Sequence, residues 1–133
     1  MKHILVIEDE RTYANILGEL IRDDGFKCTV VYSAAEAEQL LPNLKSEVQG
    51  VILDLMMTRT GSFAQGPFPA GETGDEVYKR IRDVAPHLPI VIMTAKTRES
   101  LNSQYPLDQN THIFLKPIDS AMVAKLVKLL KNI

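Results

Sequence analysis

The sequence predicts an α/β fold, a doubly wound five-stranded parallel sheet in the order 2-1-3-4-5 with helices on both faces. Three observations predict it. Short apolar runs, continuous rather than alternating, recur five times along the 133 residues, as strands buried on both faces would. Segments with helical periodicity alternate with them, the pattern of consecutive βα units. Right-handed crossovers then leave few topologies, and 2-1-3-4-5 is the common one for five strands.

Each element has its own warrant. Ile4-Leu5-Val6-Ile7 is the first strand. Residues 12 to 24 carry Ile16, Leu17, Leu20 and Ile21 at helical spacing, and Gly25 stops that helix. The β-branched run Cys28-Thr29-Val30-Val31-Tyr32 is the second strand. Ser33-Ala34-Ala35-Glu36 matches a capping box and opens a helix that ends before Pro42. Val51-Ile52-Leu53 is the third strand. A helix from about Asp75 to Val84 puts Val77, Tyr78 and Ile81 on one face, and Pro86 and Pro89 bracket the turn after it. Ile90-Val91-Ile92-Met93 is the fourth strand. Residues 95 to 111 are polar and include Pro106, which predicts a short or ragged helix. Ile113-Phe114-Leu115 is the fifth strand. Asp119 or Ser120 caps a last helix whose Met122, Val123, Leu126, Val127 and Leu130 face inward.

This length fits one domain spanning residues 1–133, with the βα units using the whole chain and no separate output domain expected. Hydrophobic residues at 45% and charged residues at 24% are an ordinary globular balance. A net charge of -2 gives no electrostatic reason to expect direct nucleic-acid or membrane binding. Cys28 is the single cysteine, so no intrachain disulfide forms, which suits a reducing compartment. The N-terminal apolar run is too short for a signal-peptide core or a membrane span, and the expected location is the cytoplasm.

In open α/β sheets, ligands bind beyond the carboxyl ends of the strands, at the point where strand order reverses. Here that point lies between strands one and three. Strand one runs into Glu8-Asp9-Glu10 and strand three into Asp54, bringing at least three carboxylates to one crevice. Strand four ends in Thr94 and strand five in Lys116. Clustered carboxylates repel unless a cation joins them. Oxygen ligands with room for water suit Mg²⁺. A carboxylate beside that ion can attack phosphorus, while the ion, Lys116 and the Thr94 hydroxyl each take a phosphoryl oxygen.

Ile4-Leu5-Val6-Ile7-Glu8-Asp9-Glu10, Val51-Ile52-Leu53-Asp54-Leu55-Met56-Met57, Ile90-Val91-Ile92-Met93-Thr94-Ala95-Lys96 and Leu115-Lys116-Pro117 resemble the four signature blocks of two-component response-regulator receiver domains. The resemblance spans the chain apart from one insertion and is closest in type to stand-alone receivers with the chemotaxis-receiver fold. It implies a phosphorylation switch in a phosphorelay, with Asp54 as phosphoacceptor and Thr94 and Lys116 contacting the phosphoryl group. It implies Mg²⁺ held by Asp9, Asp54 and the Met56 backbone carbonyl, with Glu8 nearby or acting through water. It implies a histidine kinase or phosphotransfer protein as donor. A downstream protein would read the face made by the fourth helix (between strands four and five), the fifth strand and the last helix. A homodimer is a further arrangement it allows. The Lys116–Pro117 bond resembles the family's cis peptide. No enzyme activity is expected beyond self-phosphorylation and autodephosphorylation.

Three features depart from the family pattern. The acidic pair is Glu8-Asp9 rather than two aspartates, and the longer side chain still serves a metal. Ile113 stands where an aromatic residue usually relays phosphorylation. Residues 58 to 73, rich in glycine and proline, replace a usually short loop, either as a lid or docking loop beside the site or as a tolerated insertion. Met56 and Lys96 resemble positions that tune hydrolysis; neither readily positions an attacking water, so a long-lived phosphoform is expected.

Other signals carry less. Gly66-Pro67-Phe68-Pro69-Ala70-Gly71-Glu72-Thr73 has P-loop glycine spacing, but Glu72 replaces the lysine and two prolines remove amides. No dinucleotide-binding glycine motif follows the first strand. His3, His87 and His112 lack metal-ligand spacing. Cys28 reads as a small buried residue, and Lys125, Lys128 and Lys131 favour the last helix's C-terminal dipole. An aspartate-nucleophile hydrolase needs a second acid where Met56 stands. A non-phosphorylated pseudo-receiver acting as a protein-binding module is the alternative, although no acid, threonine or lysine of the site is lost.

Overall fold

The computed structural model describes residues 1–57, 73–95, 110–116 and 119–133. The expected loop at 58 to 73, except for Thr73 at a helix start, therefore lies outside the described residues. So do Lys96, Pro117 and most of the segment expected to be a ragged helix.

Strand β1 (His3–Ile7) leads into α1 (Arg11–Asp23), then β2 (Lys27–Val31), α2 (Ala34–Leu40) and α3 (Leu44–Glu47). Strand β3 (Gly50–Asp54) follows, then α4 (Thr73–Val84), β4 (Ile90–Thr94), β5 (Thr111–Leu115) and α5 (Ser120–Lys131). The sheet is parallel throughout, in the order β2-β1-β3-β4-β5, as the sequence predicts.

Alternation along each strand sorts the apolar residues into two layers. Leu5, Ile7, Val51, Leu53, Ile90 and Ile92 face one side and meet Ala34, Ala37, Leu44, Val77, Tyr78 and Ile81. Ile4, Val6, Ile52, Val91 and Met93 face the other and meet Leu17, Ile21, Leu126 and Leu130. Every residue of β3 and β4 is buried, which is why those strands read as unbroken apolar runs.

Helix ends follow local chemistry. At Gly25 the backbone turns to φ +91°, a conformation that suits glycine. The Gly25 N–H donates to Arg22 O at 3.0 Å and the Phe26 N–H to Ile21 O at 3.4 Å, a Schellman closure of α1. Ser33 accepts the Glu36 N–H at 3.1 Å, as the capping box requires. The Glu36 carboxylate reaches the Tyr32 amide at 3.2 Å, one residue earlier than the motif specifies. Asp119, rather than Ser120, caps α5 by accepting the Met122 N–H at 2.9 Å.

Arg82 of α4 ties down the amino-terminal edge of β4 and β5. Its guanidinium donates to Leu88 O at 2.5 Å, Asn110 O at 2.8 Å and Thr111 Oγ1 at 2.8 Å. The Tyr78 hydroxyl meets Thr111 Oγ1 at 2.9 Å. Among the described residues, no helix is long and apolar enough to cross a membrane.

Candidate functional site

Strand register builds the site as a stair along the carboxyl edge. Ile7 pairs with Leu53, so Glu8 comes level with Asp54. Asp54 pairs with Met93, which puts Thr94 one step further, and Thr94 pairs with Leu115, which puts Lys116 one step beyond that. Residues separated by a whole domain of sequence thus meet because each follows a strand of matched length.

Glu8, Asp9 and Asp54 each offer a carboxylate oxygen within 4.8 Å of the others. Glu8 and Asp54 are 2% and 5% exposed. The Lys116 ammonium lies 2.5 Å from Glu8 Oε1 and 3.5 Å from Asp54 Oδ1. Its backbone N–H donates to Thr94 O at 2.7 Å, which ties the ends of β4 and β5 together. Thr94 is fully buried. The Met56 N–H donates to Asp54 Oδ1 at 3.2 Å, turning the chain just after β3. Glu10 does not join the cluster. Its carboxylate accepts the Thr12 and Tyr13 amides at 3.2 and 2.8 Å and caps α1.

Burial pushes the Glu8 carboxyl up, and its hydrogen bond to Asp54 and that residue's charge add to the rise, while Lys116 opposes it. Burial lowers the Lys116 ammonium, but the bond to Glu8 and the charges of Asp54 and Glu8 outweigh it and raise it overall. Burial also raises the Tyr13 phenol. Glu8 Oε2 is buried with no hydrogen-bond partner among the described residues. An oxygen-only donor set with an unsatisfied carboxylate oxygen fits a hard divalent cation such as Mg²⁺.

Two residues at the site escaped sequence reasoning. Tyr13, on the first turn of α1, lays its ring 4.5 Å from the Lys116 ammonium. Gly74, in the first turn of α4, presses on the strand bearing Asp54: an added Cβ would meet Leu55 Cα at 2.3 Å and Asp54 O at 2.6 Å. The available signals were an aromatic residue four positions after Asp9 and a glycine at a helix start, both too common to single out. Ile113, expected as a departure in the relay position, is buried in the core layer with Ile92 and Leu53. His3 serves a structural role, with its ring nitrogens at 3.0 Å from Glu47 O and 2.7 Å from Thr29 Oγ1.

This fold, with carboxylates gathered at the carboxyl edge of the sheet, is that of a doubly wound α/β domain, and the comparisons identify the family. The model of the response regulator receiver domain matches residues 4–128, and the chain belongs to that family. It is 27% identical to the response regulator SaeR of Staphylococcus epidermidis over 99 residues, 74% of this chain and 37% of that protein. SaeR of Staphylococcus aureus is 26% identical over the same length. The chain thus spans well under half the length of these curated relatives. A response regulator receiver protein from Sinorhizobium medicae superposes with a TM-score of 0.72 at 27% identity, covering 98% of this chain and 94% of that one. The signal receiver domain of a DNA-binding response regulator from Colwellia psychrerythraea shares the fold, with a TM-score of 0.75 at 23% identity and full coverage of both chains. Receiver domains are regulatory signalling domains of two-component systems, which interact with histidine kinases or phosphotransfer proteins and generally bind Mg²⁺ at an acidic pocket.

Proposed function

We propose that this chain switches state when Asp54 accepts a phosphoryl group from a histidine kinase or phosphotransfer protein, and that residues 1–133 form one receiver domain carrying an inserted loop at 58 to 73. One observation carries the reading: the Asp54 carboxylate stands at the centre of the stair, within 4.8 Å of the Glu8 and Asp9 oxygens and 3.5 Å from the Lys116 ammonium.

Asp9, Asp54, the Met56 backbone carbonyl and Glu8, directly or through water, would hold Mg²⁺. Bound there, the ion supplies charge that quiets carboxylate repulsion and draws electron density from the phosphoryl oxygens. An Asp54 oxygen attacks phosphorus in line; the new O–P bond forms as the bond to the donor's imidazole nitrogen breaks, and that nitrogen leaves with the electron pair. The Lys116 ammonium and the Thr94 hydroxyl each donate to a phosphoryl oxygen. The chemistry is limited to self-phosphorylation and slow autodephosphorylation, since Met56 offers no acid or base for an attacking water.

The phosphoform then favours a different arrangement of the β4–β5 edge, which a downstream protein or a second copy of the chain reads across β5 and α5. A net charge of -2 supports a protein partner rather than direct nucleic-acid contact, and the lone buried Cys28 fits the cytoplasm.

The test is intact mass after incubation with Mg²⁺ and acetyl phosphate, beside Asp54→Ala. One phosphoryl adduct on the parent, absent from the variant, is expected. No adduct although Mg²⁺ binds, or an adduct that persists in Asp54→Ala, overturns the assignment.

A further inference from the structure

We propose that Tyr13 is a positioning residue for Lys116, its ring holding the ammonium beside the carboxylates; the functional half of this rests on the Asp54 reading above. The Lys116 Nζ lies 4.5 Å from the centroid of the Tyr13 ring while it contacts Glu8 and Asp54. That distance is within the range where a cation is attracted to the negative face of an aromatic ring, more strongly where both are shielded from water.

The ring is itself fixed. The Tyr13 N–H donates to the Glu10 carboxylate at 2.8 Å, which locks the first turn of α1, and the side chain rests against the core layer that contains Leu17 and Leu126. The phenol oxygen is buried with no hydrogen-bond partner among the described residues, so the hydroxyl does not anchor the side chain. What Tyr13 presents to the site is its face.

Lysine needs such a guide. Its ammonium is a point charge on a flexible four-carbon stem, without the planar fork that pre-organises arginine. Its other two side-chain partners among the described residues are carboxylates, and their field changes when Asp54 becomes an acyl phosphate or when a cation offsets their charge. The attraction of the ring does not depend on either event. Tyr13 therefore keeps Lys116 at the mouth of the crevice while its anionic partners change.

Two measurements on the full chain test this. In the parent protein, the Lys116 Hε resonances should be shifted upfield by the ring current of Tyr13; unshifted resonances overturn the contact. Tyr13→Phe keeps the face and should retain that shift and the parental rate of phosphorylation by acetyl phosphate. Tyr13→Met fills similar space without a ring; it should lose the shift and slow phosphorylation about three- to tenfold. Its amide spectrum reports whether it folds, and Tyr13→Phe together with the parent spectrum decides the matter if it does not. An adduct forming at the parental rate in folded Tyr13→Met overturns this inference alone. No adduct even on the parent overturns the underlying Asp54 reading as well, and the ring-current shift, read without phosphorylation, separates the two failures.

Discussion

The Lys116 ammonium and the Glu8 carboxylate, 108 positions apart, meet at 2.5 Å on the carboxyl edge of the sheet. The contact joins the end of β5 to the end of β1 across β3 and β4. It also puts a cation among carboxylates that would otherwise repel one another. Removing one partner of a shielded ion pair leaves the other uncompensated. Lys116→Met is therefore expected to destabilise the metal-free protein by about 1–3 kcal/mol, less than for a fully buried pair because the lysine side chain is 23% exposed. Added Mg²⁺ should restore much of that loss and bind more tightly to the variant than to the parent. Urea unfolding with and without Mg²⁺ measures both; equal stability in metal-free buffer would show that Lys116 does not neutralise the cluster.

Gly74 sets how closely α4 approaches the strand that carries Asp54. A methyl group there meets backbone atoms of Asp54 and Leu55 rather than the end of a movable side chain. Gly74→Ala should cost about 1–3 kcal/mol in stability by overpacking and displace Asp54 enough to slow phosphorylation. Thermal unfolding and adduct formation read the two effects, and parental values in both would mean that α4 retreats freely.

Glu10 separates capping from metal binding. Its carboxylate holds two α1 amides and stands outside the acidic cluster. Glu10→Ala should lower stability by about 1 kcal/mol and leave Mg²⁺ affinity within about twofold. Asp9→Ala, by contrast, should weaken Mg²⁺ binding sharply. Calorimetric titration distinguishes them, and similar losses of affinity would show that Glu10 also binds the ion.

Burial pushes the Cys28 thiol up to about 11, against the opposing charge of Arg22. Since the thiolate is the reactive form, alkylation by iodoacetamide at pH 8 should run about a hundredfold slower in the folded protein than in urea. The sign of the linked stability follows. The folded thiol keeps its proton where the unfolded one, near 9, has lost it. The contribution is thus complete below about 9 and is lost as pH rises from there through about 11. Rapid alkylation of folded protein would contradict the burial.

The sheet was legible because its three central strands are buried on both faces, and Ile4–Ile7, Val51–Leu53 and Ile90–Met93 have no polar residue to disguise them. Strand ends were less so: His3, Lys27, Asp54, Thr94 and Thr111 are polar yet belong to the ladder, since backbone pairing does not require an apolar side chain. The 3₁₀ turn Leu41–Asn43 and the helical turn Leu44–Glu47 went unread because Pro42 signals a stop and four residues carry no period. At the site, residues that directly follow strands (Glu8, Asp9, Lys116) or end them (Asp54, Thr94) could be placed from topology. Glu10 follows the same strand, but its role depends on the two amides that it reaches. Tyr13 and Gly74 matter through approach between distant elements, which spacing along the chain does not encode.

The bonds from Arg82 to Leu88, Asn110 and Thr111 all lie at the end of β4 and β5 opposite Asp54. They bind those strands as a spine binds pages. With the Lys116 N–H bond to Thr94 O closing the opposite end, β5 is clasped to β4 at both limits, so the two strands resist sliding past one another.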